Sequence, residues 1–139
     1  MKNLYETRAT ASGGRNGQVA TDDGLLSVKL AYPKALGGKG DQTNPEQLFA
    51  AGYAACFSNA ILHVAKAFGV TLTQAPVSAT IGLAANASGG FQLSASLKVA
   101  LADIELATAQ KLVEAAHQVC PYSNAIRNNV AVKLEVIQA

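Results

Sequence analysis

The rhythm of hydrophobic and polar positions changes several times along the chain, and each change marks an element. Leu4 to Thr10 and Leu26 to Ala31 read as short strands, separated by the turn-forming Ser12-Gly13-Gly14-Arg15-Asn16-Gly17 and Thr21-Asp22-Asp23-Gly24. This predicts an N-terminal antiparallel meander. The next segment, Leu36-Gly37-Gly38-Lys39-Gly40-Asp41, reads as a connector, because it lacks the Lys-Ser/Thr ending and helical continuation of a phosphate-binding loop. A long helix then opens with Asn44 as cap, Pro45 at the first helical position and Glu46 in the first turn, and should stop near Gly69. Its middle is apolar on every side, so it must be covered all round, either by sheet and partner helices or by a second subunit.

Beyond the helix, Val77 to Ala85 and Phe91 to Leu101 alternate around Asn86-Ala87-Ser88-Gly89-Gly90. They predict a hairpin with Leu93, Leu97, Val99 and Leu101 pointing inward. Ile104 to Gln118 has helical period, Pro121 prevents its continuation, and Val130 to Ile137 closes the chain as another alternating strand. There is no internal repeat, linker or low-complexity segment. The order β-β-α-β-β-α-β predicts one α+β domain over residues 1–139.

Composition sharpens this picture at two points. Charged residues make up 14% of the 139 residues against roughly 25% in typical soluble proteins, while half are hydrophobic, so an extensive subunit interface is expected. The net charge of +2 comes from scattered Lys and Arg with no basic cluster, which leaves nucleic acid without an electrostatic footprint. Charge interrupts the first eight residues before any apolar signal region forms, so a cytoplasmic location is expected. The apolar stretch Leu48 to Phe57 is broken by Ser58, Asn59, His63 and Lys66, and so reads as a buried helix rather than a membrane span.

The candidate chemistry rests on two cysteines. Cys56 lies inside the apolar helix, and Cys120 ends a second helix just before Pro121. In a reducing compartment two such thiols point to redox work, although buried cysteines are commonly inert. Cys56, His63, His117 and Cys120 also form a two-Cys, two-His set, the donor types of a zinc site. Spacing weakens that alternative: seven residues of helix separate Cys56 from His63 by about 10 Å, too far to share one ion. Read singly, each histidine fits a helix-face residue bonded to backbone or water, Arg15 a solvated turn residue, and Glu46 a complement to the helix dipole.

Taken together, four motifs resemble the organic hydroperoxide resistance (Ohr) branch of the OsmC-like superfamily, in one order and along the whole chain. They are Gly13-Gly14-Arg15-Asn16-Gly17, the block from Asn44 through Phe57, Ala115-Ala116-His117, and Cys120-Pro121-Tyr122-Ser123-Asn124. The resemblance implies an OsmC-like fold in which antiparallel sheets wrap two long central helices in an intertwined homodimer. It also implies a thiol peroxidase: Cys56 attacks an organic hydroperoxide, Cys120 resolves the product as a disulfide, and Arg15 with Glu46 tunes the attacking thiol. Lipoylated protein is the implied dithiol reductant, and no bound cofactor or metal is implied.

Physical chemistry fits these roles. Burial raises a thiol's pKa, so Cys56 needs a nearby positive charge to ionise, and an arginine fork held by a carboxylate can supply it. Glu46 lies ten residues before Cys56, about 15 Å along one helix, so a Glu46 acting on Cys56 would come from the second subunit. Phe49, Tyr53 and Phe57 would form apolar pocket walls that favour bulky tails, fatty acid hydroperoxides included, over hydrogen peroxide. Two alternatives remain at this level: a lipophile-binding module of the same fold with incidental thiols, and a peroxidase of the OsmC branch.

Overall fold

Three short strands, not two, build the first part of the chain. The computed structural model describes residues 1–139, which divide into two compact units, Met1–Leu48 and Phe49–Ala139. In the N-terminal unit β1 (Ala9–Ser12), β2 (Gln18–Thr21) and β3 (Ser27–Lys29) form an antiparallel sheet in that order, with Ala11 opposite Val19 and Val19 opposite Val28. The expected meander is present, but its strands are shifted. The ladder of β1 begins at Ala9, opposite Thr21, where the turn of β2 starts, so Leu4 and Tyr5 have no partner strand and stand exposed. β2 occupies the few residues between two turn signals, which hid it.

Helix α1 (Pro45–Ala65) begins as its cap chemistry dictates: Asn44 Oδ1 accepts the Gln47 backbone N–H at 2.9 Å. It ends four residues short of Gly69 in a turn that runs through to that glycine. Gly69, at φ +68°, donates its N–H to the carbonyl of Lys66, and Val70 donates to that of Ala65. This pair of bonds caps the last carbonyls, and the left-handed backbone it needs suits glycine.

In the C-terminal unit β4 (Val77–Ala85) pairs antiparallel with β5 (Phe91–Leu101) within the expected bounds. Helix α2 (Leu106–Val119), a short α3 (Pro121–Ile126) and β6 (Val132–Gln138) follow. β6 lies parallel to β5, so the expectation of purely antiparallel sheets is corrected for this sheet. The cause is topological: two helices intervene between β5 and β6, and a crossover of that length returns the chain in the same direction. The core is built from Tyr53, Phe57 and Ile61 of α1, Leu97, Val99 and Leu101 of β5, and Leu112 and Val113 of α2. Leu93 is only half-buried.

α1 is long and apolar enough to cross a membrane by length and composition, more than the break at Ser58 implied. One side of it, including Tyr53, Phe57, Ile61 and Val64, is buried within the chain. The opposite side carries an exposed stripe at every fourth position: Ala51, Ala55, Asn59 and His63. Asn44→Ala, which removes the α1 cap, should destabilise the protein by about 1 kcal/mol in chemical denaturation.

Candidate functional site

Proline determines where the second thiol sits. The residue before a proline is driven out of the helical region, so α2 must end at Cys120, whose backbone is extended at φ −63°, ψ 121°. Pro121 then takes the first position of α3, where its missing N–H costs nothing. Cys120 is thus the shared cap of two helices and is fully buried. Its sulfur lies 3.7 Å from that of Cys56, in the middle of α1, with the Cys120 thiol directed as donor. Both cysteines are free, and Cys56 is partly exposed.

Burial pushes the Cys56 thiol above its ordinary pKa, and the neighbouring Cys120 thiol adds to the shift. A hydrogen bond from the Tyr122 backbone opposes them. None of these influences is a positive charge.

The aromatic side chains form a continuous column. Phe49 meets Tyr53 edge-on with centroids 6.1 Å apart, Tyr53 meets Phe57 at 6.2 Å, and Tyr122 contacts both Phe49 and Tyr53. Gly52 gives Tyr122 its seat, because a Cβ there would stand 2.8 Å from the Tyr122 hydroxyl. Of the three expected pocket residues, Phe49 is half-buried, whereas Tyr53 and Phe57 are closed off inside the chain.

Two further polar groups join the column. The Tyr53 hydroxyl lies 2.6 Å from Ser123 Oγ, and His117 Nδ1 lies 2.9 Å from the same oxygen. Burial, followed by the charge of Arg127, lowers the His117 pKa, which favours the neutral ring.

In the N-terminal unit Arg15 is not a solvated turn residue. It sits in a single 3-10 turn, Gly14–Asn16, and its guanidinium grips Glu46 with both arms, at 2.7 Å and 2.6 Å. Gly17 closes that turn so tightly that a Cβ would stand 1.6 Å from the Ser12 carbonyl oxygen. The hydrogen bond from Arg15 is the main reason the Glu46 carboxyl is held below the usual carboxylate range, and the pair correspondingly raises Arg15. A surface hollow of about 600 Å³ in this unit, lined by Asn16, Tyr32, Leu36 and Lys39 among others, contains neither cysteine.

Comparison with known proteins gives this geometry its context. The family model described as OsmC-like protein matches residues 38–135. An organic hydroperoxide resistance protein of Xanthomonas axonopodis pv. citri is 47% identical over 135 residues, 96% of this chain and 94% of that protein. The chain belongs to the OsmC-like family, in its organic hydroperoxide resistance branch. OhrB of Bacillus subtilis is 45% identical over 96% of this chain and 98% of its own length. Among solved structures, an organic hydroperoxide resistance protein of Vibrio cholerae with captopril bound in one of its active sites superposes with a TM-score of 0.94. It is 57% identical, covering 98% of this chain and 94% of that one.

Sequence reasoning therefore named both thiols and both members of the Arg–Glu pair. It did not foresee the Tyr122 backbone bond, the Ser123 hydroxyl or the partner of His117. The available signal was Pro121: a proline at a first helical position announces a helix, and the amides of that first turn point back toward Cys120.

The Arg15–Glu46 pair has a pH signature. Because folding lowers the Glu46 pKa, its contribution is complete above the pKa of the unfolded carboxyl and is lost as pH falls through the lowered value. The melting-temperature gap between wild type and Glu46→Gln should be constant at neutral pH and close below about pH 4.

Proposed function

We propose that this chain is a cysteine peroxidase that reduces organic hydroperoxides to alcohols. The observation that carries this reading is the pair of free thiols 3.7 Å apart, one partly exposed and one buried at a helix junction. The names of its relatives, organic hydroperoxide resistance proteins, supply the substrate class. Cys56 as thiolate attacks the O–O bond, releases the alcohol and becomes a sulfenic acid. Cys120 then displaces water from that sulfur to form the Cys56–Cys120 disulfide, which an external dithiol, the lipoyl group of a lipoylated protein, reopens. The chemistry uses sulfur alone and calls for no bound cofactor or metal.

Arg15, held by Glu46, provides the positive charge that Cys56 lacks. In this reading the guanidinium faces the sulfur and the departing alkoxide oxygen, while Glu46, which it grips with two hydrogen bonds, holds its orientation. Ten residues of α1 separate Glu46 from Cys56, about 15 Å of helical rise, so the pair serves the Cys56 of a second subunit. The exposed stripe Ala51-Ala55-Asn59-His63 supports such a homodimer, because the small residues Ala51 and Ala55 let two helices approach closely. Burying that stripe in a dimer would make α1 a core helix rather than a membrane span, which fits the proposed cytoplasmic location. The half-exposed ring of Phe49 meets the tail of the peroxide, and Tyr53 and Phe57 back it from within.

Steady-state turnover with a lipoyl dithiol as reductant tests this reading. Cumene and fatty acid hydroperoxides should give a higher kcat/KM than hydrogen peroxide, and Cys56→Ser should lose essentially all turnover. Arg15→Gln should cost roughly 10²-fold or more in kcat/KM, the scale of one preorganised electrostatic donor. Full activity in Cys56→Ser, or a preference for hydrogen peroxide, would contradict the proposal, and no turnover of any hydroperoxide by wild type would leave a lipophile-binding protein with incidental thiols.

A further inference from the structure

The core holds a hydrogen-bonded chain that attack on peroxide does not require. Tyr53, Ser123 and His117 converge on the Ser123 hydroxyl, and Tyr53 and Ser123 are fully buried. Each comes from a different helix: Tyr53 from α1, His117 from α2 and Ser123 from α3. Each also stands one helical turn from a sulfur, since Tyr53 precedes Cys56 by three residues, His117 precedes Cys120 by three, and Ser123 follows it by three. Arg127, just past α3, closes the assembly by donating to the carbonyl of His117 and to the side chain of Asn124.

Cohesion alone does not explain these groups. Phe, Ala and Leu would fill the same space without desolvating two hydroxyls and a ring nitrogen. What hydrogen bonds add is direction, because they hold donor and acceptor within a few tenths of an ångström, whereas apolar surfaces slide. Direction matters at α3, a helix of six residues with little buried surface of its own; Ser123 is its one buried residue. The same short helix is capped by Cys120 and carries Tyr122, whose backbone N–H works against the rise of the Cys56 pKa.

Resting on the peroxidase reading, we propose that Tyr53, Ser123 and His117 are positioning residues for disulfide closure. They clasp the start of α3 to α1, so that Cys120 stays within reach while Cys56 is a sulfenic acid. At that stage two reactions compete. In the first, the Cys120 sulfur attacks Cys56: the S–S bond forms, the S–O bond breaks, and the oxygen leaves as water with the Cys120 proton. In the second, another hydroperoxide oxidises the sulfenic acid to sulfinic acid and leaves as its alcohol. The clasp favours the first by holding one reactant in place, and has no part in the initial attack.

The partition between the two products is the test. Purified wild type, Ser123→Ala, His117→Ala and His117→Asn are treated with excess cumene hydroperoxide and a lipoyl dithiol, and Cys56 sulfinic acid per turnover is measured by mass spectrometry. Rapid-quench measurement of peroxide consumption gives the first step separately. Ser123→Ala and His117→Ala should raise the sulfinic fraction by about tenfold or more while slowing the first step by no more than about twofold. His117→Asn, which keeps a polar atom near the position of Nδ1, should restore much of the wild-type partition. An unchanged sulfinic fraction in both alanine variants, or equal slowing of attack and closure, would overturn the clasp. Failure of wild type to oxidise Cys56 at all would instead overturn the peroxidase reading beneath it.

Discussion

Two sulfurs at 3.7 Å, brought together from residues 64 apart in sequence, are the contact on which the rest depends. A disulfide requires about 2.05 Å, so closure calls for a further approach of about 1.7 Å, within reach of a rotamer change and a small shift of one helix end. Each sulfur owes its place to a different constraint. Cys56 is fixed by α1, whose buried side anchors the core, and Cys120 by the break that Pro121 forces between α2 and α3. A proline elsewhere in this segment would move the break, and the second sulfur with it.

Burial that brings the thiols together also opposes the ionisation of Cys56. The Cys56 thiol is pushed up by burial and by its neighbour, with only a backbone hydrogen bond against them. In the chemistry proposed, the missing positive charge is Arg15, gripped by Glu46 in a two-armed ion pair that leaves little freedom to the guanidinium. In that proposal buried sulfur, fixed cation and apolar surroundings act together, and the ten residues of α1 between Glu46 and Cys56 are why a second subunit is invoked to bring them to one place.

Much of this was legible from residue types and spacing. Asn44-Pro45-Glu46 marked the start of α1, and alternation around Asn86–Gly90 fixed the bounds of β4 and β5, because caps and period-two patterns are local. β2 escaped because four residues between two turns carry too little alternation to register. The parallel placement of β6 escaped because strand direction depends on what lies between strands rather than on the strand itself. At the site, Cys56 and Cys120 stood out by residue type and placement, and the family motifs added Arg15 and Glu46; residue spacing alone left Arg15 a turn residue and Glu46 a dipole partner. The clasp of Tyr53, Ser123 and His117 escaped for another reason. Tyrosine, serine and histidine are common on helices, and only the three-helix packing brings their polar atoms to one point.

Everything proposed here requires that the two sulfurs bond when one is oxidised. Treating the reduced protein with one equivalent of an organic hydroperoxide, then digesting it under non-reducing conditions for peptide mass mapping, addresses this directly. The expected product is a Cys56–Cys120 bridge within one chain, reopened by a lipoyl dithiol. Two untouched thiols after peroxide, or a bridge only between chains, would contradict it.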